Sequence, residues 1–237
     1  MSAQTRFSAA IASENKRGLA AVIPDVKCIS PKEGDLLRGR DPVETAKQLV
    51  GFGAPVLSVV TERERFGGSS ELLRAVTQAV DVPVLRKDFI TSGDMLKESA
   101  ELGASAILLI CAIIDEKNLP ALYEQAIRLG LEPFVEACTA KELTLAGKLG
   151  ARLIGINNRD IVTLEKDGGG PSRTATLASG APDDALLVSE SGILSPKDAR
   201  LAVSAGANAV LVGTALWQAL DMGAMYRSLQ VPIEKHR

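Results

Sequence analysis

Pro83-Val84-Leu85-Arg86-Lys87-Asp88-Phe89 (PVLRKDF, 83–89) is an apolar run whose downstream end is charged. AVIPDVK (21–27), EPFVEACT (132–139), RLIGINNRD (152–160) and ALLVSESG (185–192) are built the same way. In a barrel of alternating strands and helices the downstream ends of all strands meet on one face, so side chains distant in sequence converge there. The converging set includes Lys27, Lys87, Glu136, Asn157, Arg159 and Glu190. Unpaired charge is costly to bury. Polarity on this scale at apolar strand ends therefore reads as an active site rather than as packing.

Around these stretches the chain repeats one pattern. Near-continuous aliphatic runs recur at 22–27, 55–60, 83–86, 105–110, 132–136, 152–156, 185–189 and 208–212, as expected of strands buried on both faces. Helical segments lie between them. Asp41-Pro42 with Glu44, Ser195-Pro196 with Asp198, and Thr139 with Glu142 read as helix starts. Gly53, Gly103, Gly130, Gly150 and Gly206 stand where left-handed C-cap residues belong. Eight βα units without a linker predict an α/β fold, a single TIM (β/α)8 barrel over 1–237, with 1–20 a short N-terminal helical segment. No G-x-G-x-x-G follows the first strand, which argues against an open dinucleotide-binding sheet. EKDGGGPSRTATLASGAPDD (165–184) is expected to form a flexible loop on the catalytic face after the sixth strand, then a short helix.

Composition removes several classes of function. The 237 residues hold 27 Lys plus Arg against 29 Asp plus Glu, a net charge of −2, so no basic excess points to nucleic acid. Aromatic residues are only 3%, too few for base-stacking platforms. The N-terminal stretch lacks a long apolar segment, so neither a signal peptide nor a membrane span is expected. Cys28, Cys111 and Cys138 are odd in number and widely spaced, which suits reduced thiols in a cytoplasmic protein. His236 is the one histidine. Triads and multi-histidine metal sites are thereby removed, and acid–base work falls to Lys, Glu, Asp or Asn.

Asp25 and Lys27, two apart on the first strand, point to one side; a salt bridge at the barrel mouth is the bland alternative. A partly desolvated Lys87 near other cations would have a lowered pKa and could donate a proton near neutrality. Glu136 and Glu190 are paired carboxylates for proton abstraction and return, or ion-pair partners of a lysine, or both. Asn157 can orient a hydroxyl or carbonyl, and Arg159 can clamp a carboxylate. Phe66 and Phe89 can wall an aromatic substrate. SESGI and VLVGTAL supply backbone amides at Gly192 and Gly213, with Thr214 as helix cap. Loops after the last two strands are a frequent phosphate site in barrels. Ser30 is expected to add a hydroxyl beside it. Cys28 should face the surrounding helices as a buried, inert thiol.

Taken together, DVKCISPKEGD, LSVVTERERFGGS, PVLRKDFI, VEACTAKEL, IGINNRD, VSESGI and VLVGTAL resemble the indole-3-glycerol phosphate synthase family over nearly the whole chain. The resemblance implies a TIM barrel that needs no metal and no cofactor. The implied reaction is a carboxy-lyase reaction on a carboxyphenylamino-deoxyribulose phosphate: ring closure on the ketone, loss of CO2, then loss of water. It implies Lys87 as main general acid, Glu136 as proton-transferring carboxylate, and Lys27 in substrate holding and dehydration. Asn157, Glu190 and Ser191 match positions that organise the reacting centre, Arg159 a substrate-binding arginine, and Ser30, Gly192, Gly213 and Thr214 the phosphate cradle. The implied partner is a phosphorylated small molecule, with no nucleic acid or membrane, for a monomer or weak homo-oligomer in the cytoplasm. Two features depart from the family pattern. Asp25 stands where Glu is usual, and Lys27 comes roughly two dozen residues early, shortening an extension that in the family covers the catalytic mouth. A paralogous barrel acting on another phosphorylated amino-ketose, and a non-catalytic phosphate-binding barrel, are the alternatives these departures leave.

Overall fold

The computed structural model describes residues 6–159 and 170–233. Eight parallel strands close into a barrel: β1 (Ala21–Val26), β2 (Leu57–Val60), β3 (Val84–Lys87), β4 (Ala106–Ile110), β5 (Glu132–Ala137), β6 (Leu153–Asn157), β7 (Leu186–Glu190) and β8 (Ala209–Val212). Each strand pairs with its sequence neighbours, and β1 closes the ring against both β2 and β8. The fold is a single-domain TIM barrel. Every predicted strand is present, with ends moved by one or two residues.

Alternation along each strand divides two kinds of surface. Inward positions such as Ile23, Leu85, Leu108, Phe134, Leu153, Val188 and Leu211 make one buried cluster inside the barrel. Outward positions such as Val135, Ile154, Ile156 and Leu187 pack against the helices. Because the period is two, the same phase carries Asp25, Lys87, Glu136, Asn157 and Glu190 inward at the strand ends. Sequence phase thus aims these polar groups before any packing is considered.

The helices start as predicted. Asp41 accepts the amides of Val43 and Glu44, Thr139 that of Glu142, and Ser195 that of Asp198. Each capping hydrogen bond satisfies an otherwise orphaned N–H and contributes about 1 kcal/mol. Gly53, Gly103, Gly130, Gly150 and Gly206 all take positive φ, and each returns its chain from helix to strand.

The helix Arg6–Lys16 lies under the barrel. Phe7 and Ile11 are completely buried and join the inward-facing cluster. The Ser8 amide donates to Glu132 Oε2 at the start of β5, 3.0 Å away, and Asn15 Nδ2 donates to the carbonyls of Leu19 and Asn208. The upstream end of the barrel is therefore floored by this helix. Among the described residues no helix is long and apolar enough to cross a membrane.

Candidate active site

The opposite, downstream end opens into a cavity of about 910 Å³, counting the open solvent at its mouth. Its centre is a lysine between two carboxylates. Lys87 Nζ lies 2.6 Å from Glu190 Oε2 and 3.8 Å from Glu136 Oε2. Asn157 Nδ2 donates to Glu136 Oε1 at 3.0 Å. Both glutamates are essentially inaccessible to solvent, while the Lys87 side chain keeps a fifth of its surface. The lysine is thus the most exposed member of the cluster, and it lines the cavity together with Glu136.

This arrangement reverses one expectation. Burial pulls the Lys87 pKa down, but the carboxylates of Glu190, Glu136 and Asp25 outweigh it and hold the pKa above the ordinary lysine value. The neighbours are anions, not the cations expected from the sequence. Glu136 moves the other way for an acid: burial, then repulsion from Glu190, push its pKa up to about 8 against the opposing pull of Lys87 and Asn157. One cation cannot neutralise two buried carboxylates, so the cluster retains a proton on the acid side.

Asp25 and Lys27 stand at the end of β1 and also line the cavity. Ser58, the register partner of Asp25 on β2, donates its hydroxyl to Asp25 Oδ1 at 2.7 Å. Trp217 Nε1 holds the Asp25 carbonyl at 2.8 Å. Lys27 Nζ sits 5.6 Å from the centre of the Phe66 ring, a cation–π distance. Phe66 and Phe89 face the cavity from the segments after β2 and β3, and Leu108, Ile110 and Leu211 supply apolar wall. Arg159 lines it from the segment after β6.

Two glycine turns complete the rim. Ser191 and Gly192 follow β7 with φ of 63° and 71°, so a non-glycine residue is held in the left-handed region, a strained state that surrounding contacts must enforce. Asn158 supplies them. Its Nδ2 donates to Ser189 Oγ, the Glu190 carbonyl and the Ser191 carbonyl, while its Oδ1 accepts the Thr174 amide and hydroxyl. Gly213 and Thr214 follow β8, the strand paired with β7, and also line the cavity. The cap expectation for Thr214 is corrected: Gly213 occupies the cap position, Thr214 is the first helical residue, and its side chain makes no capping hydrogen bond. Thr214 lines the cavity instead.

Of the predicted set, Asp25, Lys27, Phe66, Lys87, Phe89, Glu136, Asn157, Arg159, Ser191, Gly192, Gly213 and Thr214 converge on the cavity wall. Glu190 lies directly behind Lys87, completely buried. Ser30 is the exception. It is buried in the short ladder Ile29–Ser30/Gly34–Asp35, and its Oγ accepts the amides of Lys32 and Glu33. A serine at the first position of a tight turn bonds its own backbone, which places this one off the cavity wall. The three thiols are free and half-buried. Burial raises the pKa of Cys28 and pushes Cys111 and Cys138 up to about 12, which suits inert thiols. The first part of the 165–184 prediction, through residue 169, falls outside the described residues. The short helix after it is present at Ser172–Leu177.

Sequence reasoning missed Glu62, Asp88, Asn158 and Arg173. Glu62 lines the cavity and accepts the amides of Glu64, Arg65 and Phe66, so it shapes the turn that presents Phe66. Asp88 takes Thr61 Oγ1 and Arg86. Arg173 donates to the carbonyls of Asn157 and Arg159. Glu62 was readable, since an acid just before a turn is a common acceptor of the next amides. Asn158 and Arg173 depend on contacts across the fold that no local pattern announces.

Fold and cavity together put the chain among TIM-barrel enzymes that work on a small molecule at the downstream mouth. The family model described as Indole-3-glycerol phosphate synthase matches residues 1–229. Proteins of that name from Pyrococcus furiosus, Listeria monocytogenes and Deinococcus radiodurans are similar to it. The first is 45% identical over 198 residues, covering 84% of this chain and 86% of that protein. The second is 43% identical over 210 residues, 89% of this chain and 82% of the other. The third is 42% identical over 226 residues, 94% of this chain and 84% of the other. The chain belongs to the indole-3-glycerol phosphate synthase family.

Proposed function

We propose that this barrel is a carboxy-lyase that closes the indole ring of a carboxyphenylamino-deoxyribulose phosphate with loss of CO2 and water. The observation that carries the reading is Lys87, held between Glu136 and Glu190 at the back of a cavity that two phenylalanines and two glycine turns enclose. Phe66 and Phe89 suit the aromatic ring, and Arg159 suits its carboxylate. The turns at Gly192 and Gly213–Thr214 suit the phosphate, because close backbone approach and unshared amides favour an anion. Ser30, whose Oγ accepts two amides and carries a hydroxyl proton, joins that cradle in this reading.

The chemistry follows from the charges. With its raised pKa, Lys87 starts as an ammonium. As the ring carbon attacks the ketone, an alkoxide develops that is more basic than this amine, so the proton passes from Nζ to oxygen. CO2 then leaves from the ring carbon that bonded. Loss of the hydroxyl as water needs a second proton, which Lys27 at the end of β1 supplies; Glu136 passes its own proton to the Lys87 amine and, so ionised, takes the proton released from the substrate. Asn157 keeps Glu136 oriented. Asp25 serves the same strand end, fixed by Ser58. The reading puts the reaction in the cytoplasm and works with a monomer or weak homo-oligomer.

The test is turnover of the synthetic carboxyphenylamino-deoxyribulose phosphate, read by indole fluorescence, beside an inorganic phosphate titration followed by amide NMR. Efficient turnover, on the order of 10⁴ M⁻¹s⁻¹ or more, with shifts at Gly192 and Gly213, is expected. Absence of turnover with phosphate still bound would overturn the activity. Absence of amide shifts at saturating phosphate would overturn the cradle.

A further inference from the structure

Gly155 is the inward-facing residue in the middle of β6, beside Glu136 of β5 and Val188 of β7 in the sheet register. A Cβ built there would lie 2.3 Å from Glu190 Oε1, 2.7 Å from Phe134 Cε2 and 2.9 Å from Phe134 Cζ. Its φ is not in the left-handed region, so backbone conformation does not explain a glycine here, and a glycine in a strand interior weakens the strand. The missing side chain is the space that Glu190 occupies. Glu190 Oε1, completely buried, has no hydrogen-bond partner among the described residues. Around Oε1 it is confined by the Gly155 backbone and the Phe134 ring, and through Oε2 it holds Lys87.

We infer that Gly155 is a positioning residue for the reaction: the absence of a side chain at 155 lets Glu190 reach Lys87 and so fixes where the Nζ points. The inference rests on the functional reading above for its activity arm. A methyl group at 155 has one flexible neighbour to displace, the Glu190 carboxylate, because Phe134 is packed in the barrel core. Moving that carboxylate by ~1 Å loosens Lys87, and misplacement on that scale costs on the order of a hundredfold in rate.

The experiment is a double-mutant cycle with Gly155→Ala and Glu190→Ala, measuring kcat, KM and the dissociation constant of inorganic phosphate. Gly155→Ala alone is expected to lower kcat at least tenfold, with KM and phosphate affinity within about twofold of wild type. In the Glu190→Ala background, where the carboxylate is gone, it is expected to lower kcat no further. An equal fall in both backgrounds would overturn the inference, because the effect would then run through Phe134 and the core. Should Gly155→Ala not fold, the cycle is run in Phe134→Leu, which removes the ring contact and leaves the carboxylate contact. Wild-type protein without turnover would count against the functional reading alone. The inference is then read from glutamate side-chain 13C titrations: Gly155→Ala must change the Glu136 titration, and an unchanged one would overturn it.

Discussion

Lys87 Nζ and Glu190 Oε2 meet at 2.6 Å across 103 positions of sequence. The contact lies at the wall of the downstream cavity, and it is also a buried ion pair whose carboxylate member has no access to solvent. Removal of the lysine therefore has two separable consequences. Lys87→Met should lower kcat by roughly a hundredfold to ten-thousandfold, the typical contribution of a general acid, while inorganic phosphate still binds. It should also cost on the order of 3 kcal/mol in stability, because two carboxylates lose their cation. Steady-state kinetics and urea unfolding measure the two; near-native kcat would remove Lys87 from the chemistry.

The pH dependence of stability has a definite sign at Glu136. Its folded-state pKa of about 8 exceeds the ordinary 4.5, so between those values the native state binds a proton that the unfolded chain has released. The contribution is complete below about pH 4.5 and is lost as pH rises through about 8, with a limiting slope of about 1.4 kcal/mol per pH unit. Lys87, raised above 10.5, keeps its proton throughout this window and adds no slope. Denaturant midpoints from pH 5 to 9 should fall for wild type relative to Glu136→Gln. Parallel profiles would show that the proton is not held there.

Asn158 should matter for binding more than its distance from the chemistry suggests. Asn158→Ala leaves the Ser191 turn without its clasp and several buried partners unsatisfied, at a cost of about 1–3 kcal/mol. We expect weaker inorganic phosphate binding and a higher KM, with kcat less affected. Calorimetry with phosphate decides it: unchanged affinity in a folded variant would mean that Ser191 keeps its left-handed conformation without help.

Asp25 stands where the sequence resemblance implies a glutamate, and Ser58 gives it a partner from the adjacent strand. The compensation is local, so Asp25→Glu should be tolerated, with kcat/KM within about tenfold of wild type. The reach of a carboxylate changes by about 1 Å with one methylene, enough to break the Ser58 hydrogen bond while gaining length toward the cavity. Comparison with Ser58→Ala tests the argument. A collapse of activity in Asp25→Glu with no effect of Ser58→Ala would show that Asp25 is fitted to a different substrate.

The barrel and the convergence of its polar strand ends were legible because period and phase are local properties. Once Leu85 is assigned inward, Lys87 follows, and the same holds for Phe134 and Glu136. What lay beyond the sequence was the company each group keeps. The sign of the Lys87 shift depends on residues 49 and 103 positions away, whose distances only closure of the barrel fixes. Ser30 shows a local side that its expected place beside the phosphate turns did not reveal: its Oγ accepts the amides of Lys32 and Glu33. Thr214 shows how little separates a cap from a first helical residue when glycine precedes it. Asn158 escaped because its neighbour Asn157 carried the chemical pattern, while its own role is to bind three strand-end groups from behind.

Among the described residues, the helix beneath the barrel closes the cavity's base and leaves it open at the downstream end. Phe7 and Ile11 seal the base with apolar side chains, so traffic in both directions uses the downstream mouth. Substrate, expelled gas, released water and the heavier product must share that opening in turn. On the proposed reading, the next substrate enters only after the phosphorylated product has left the neighbouring turns at Gly192 and Gly213. Occupancy of those turns, rather than the depth of the cavity, then governs how the cycle restarts.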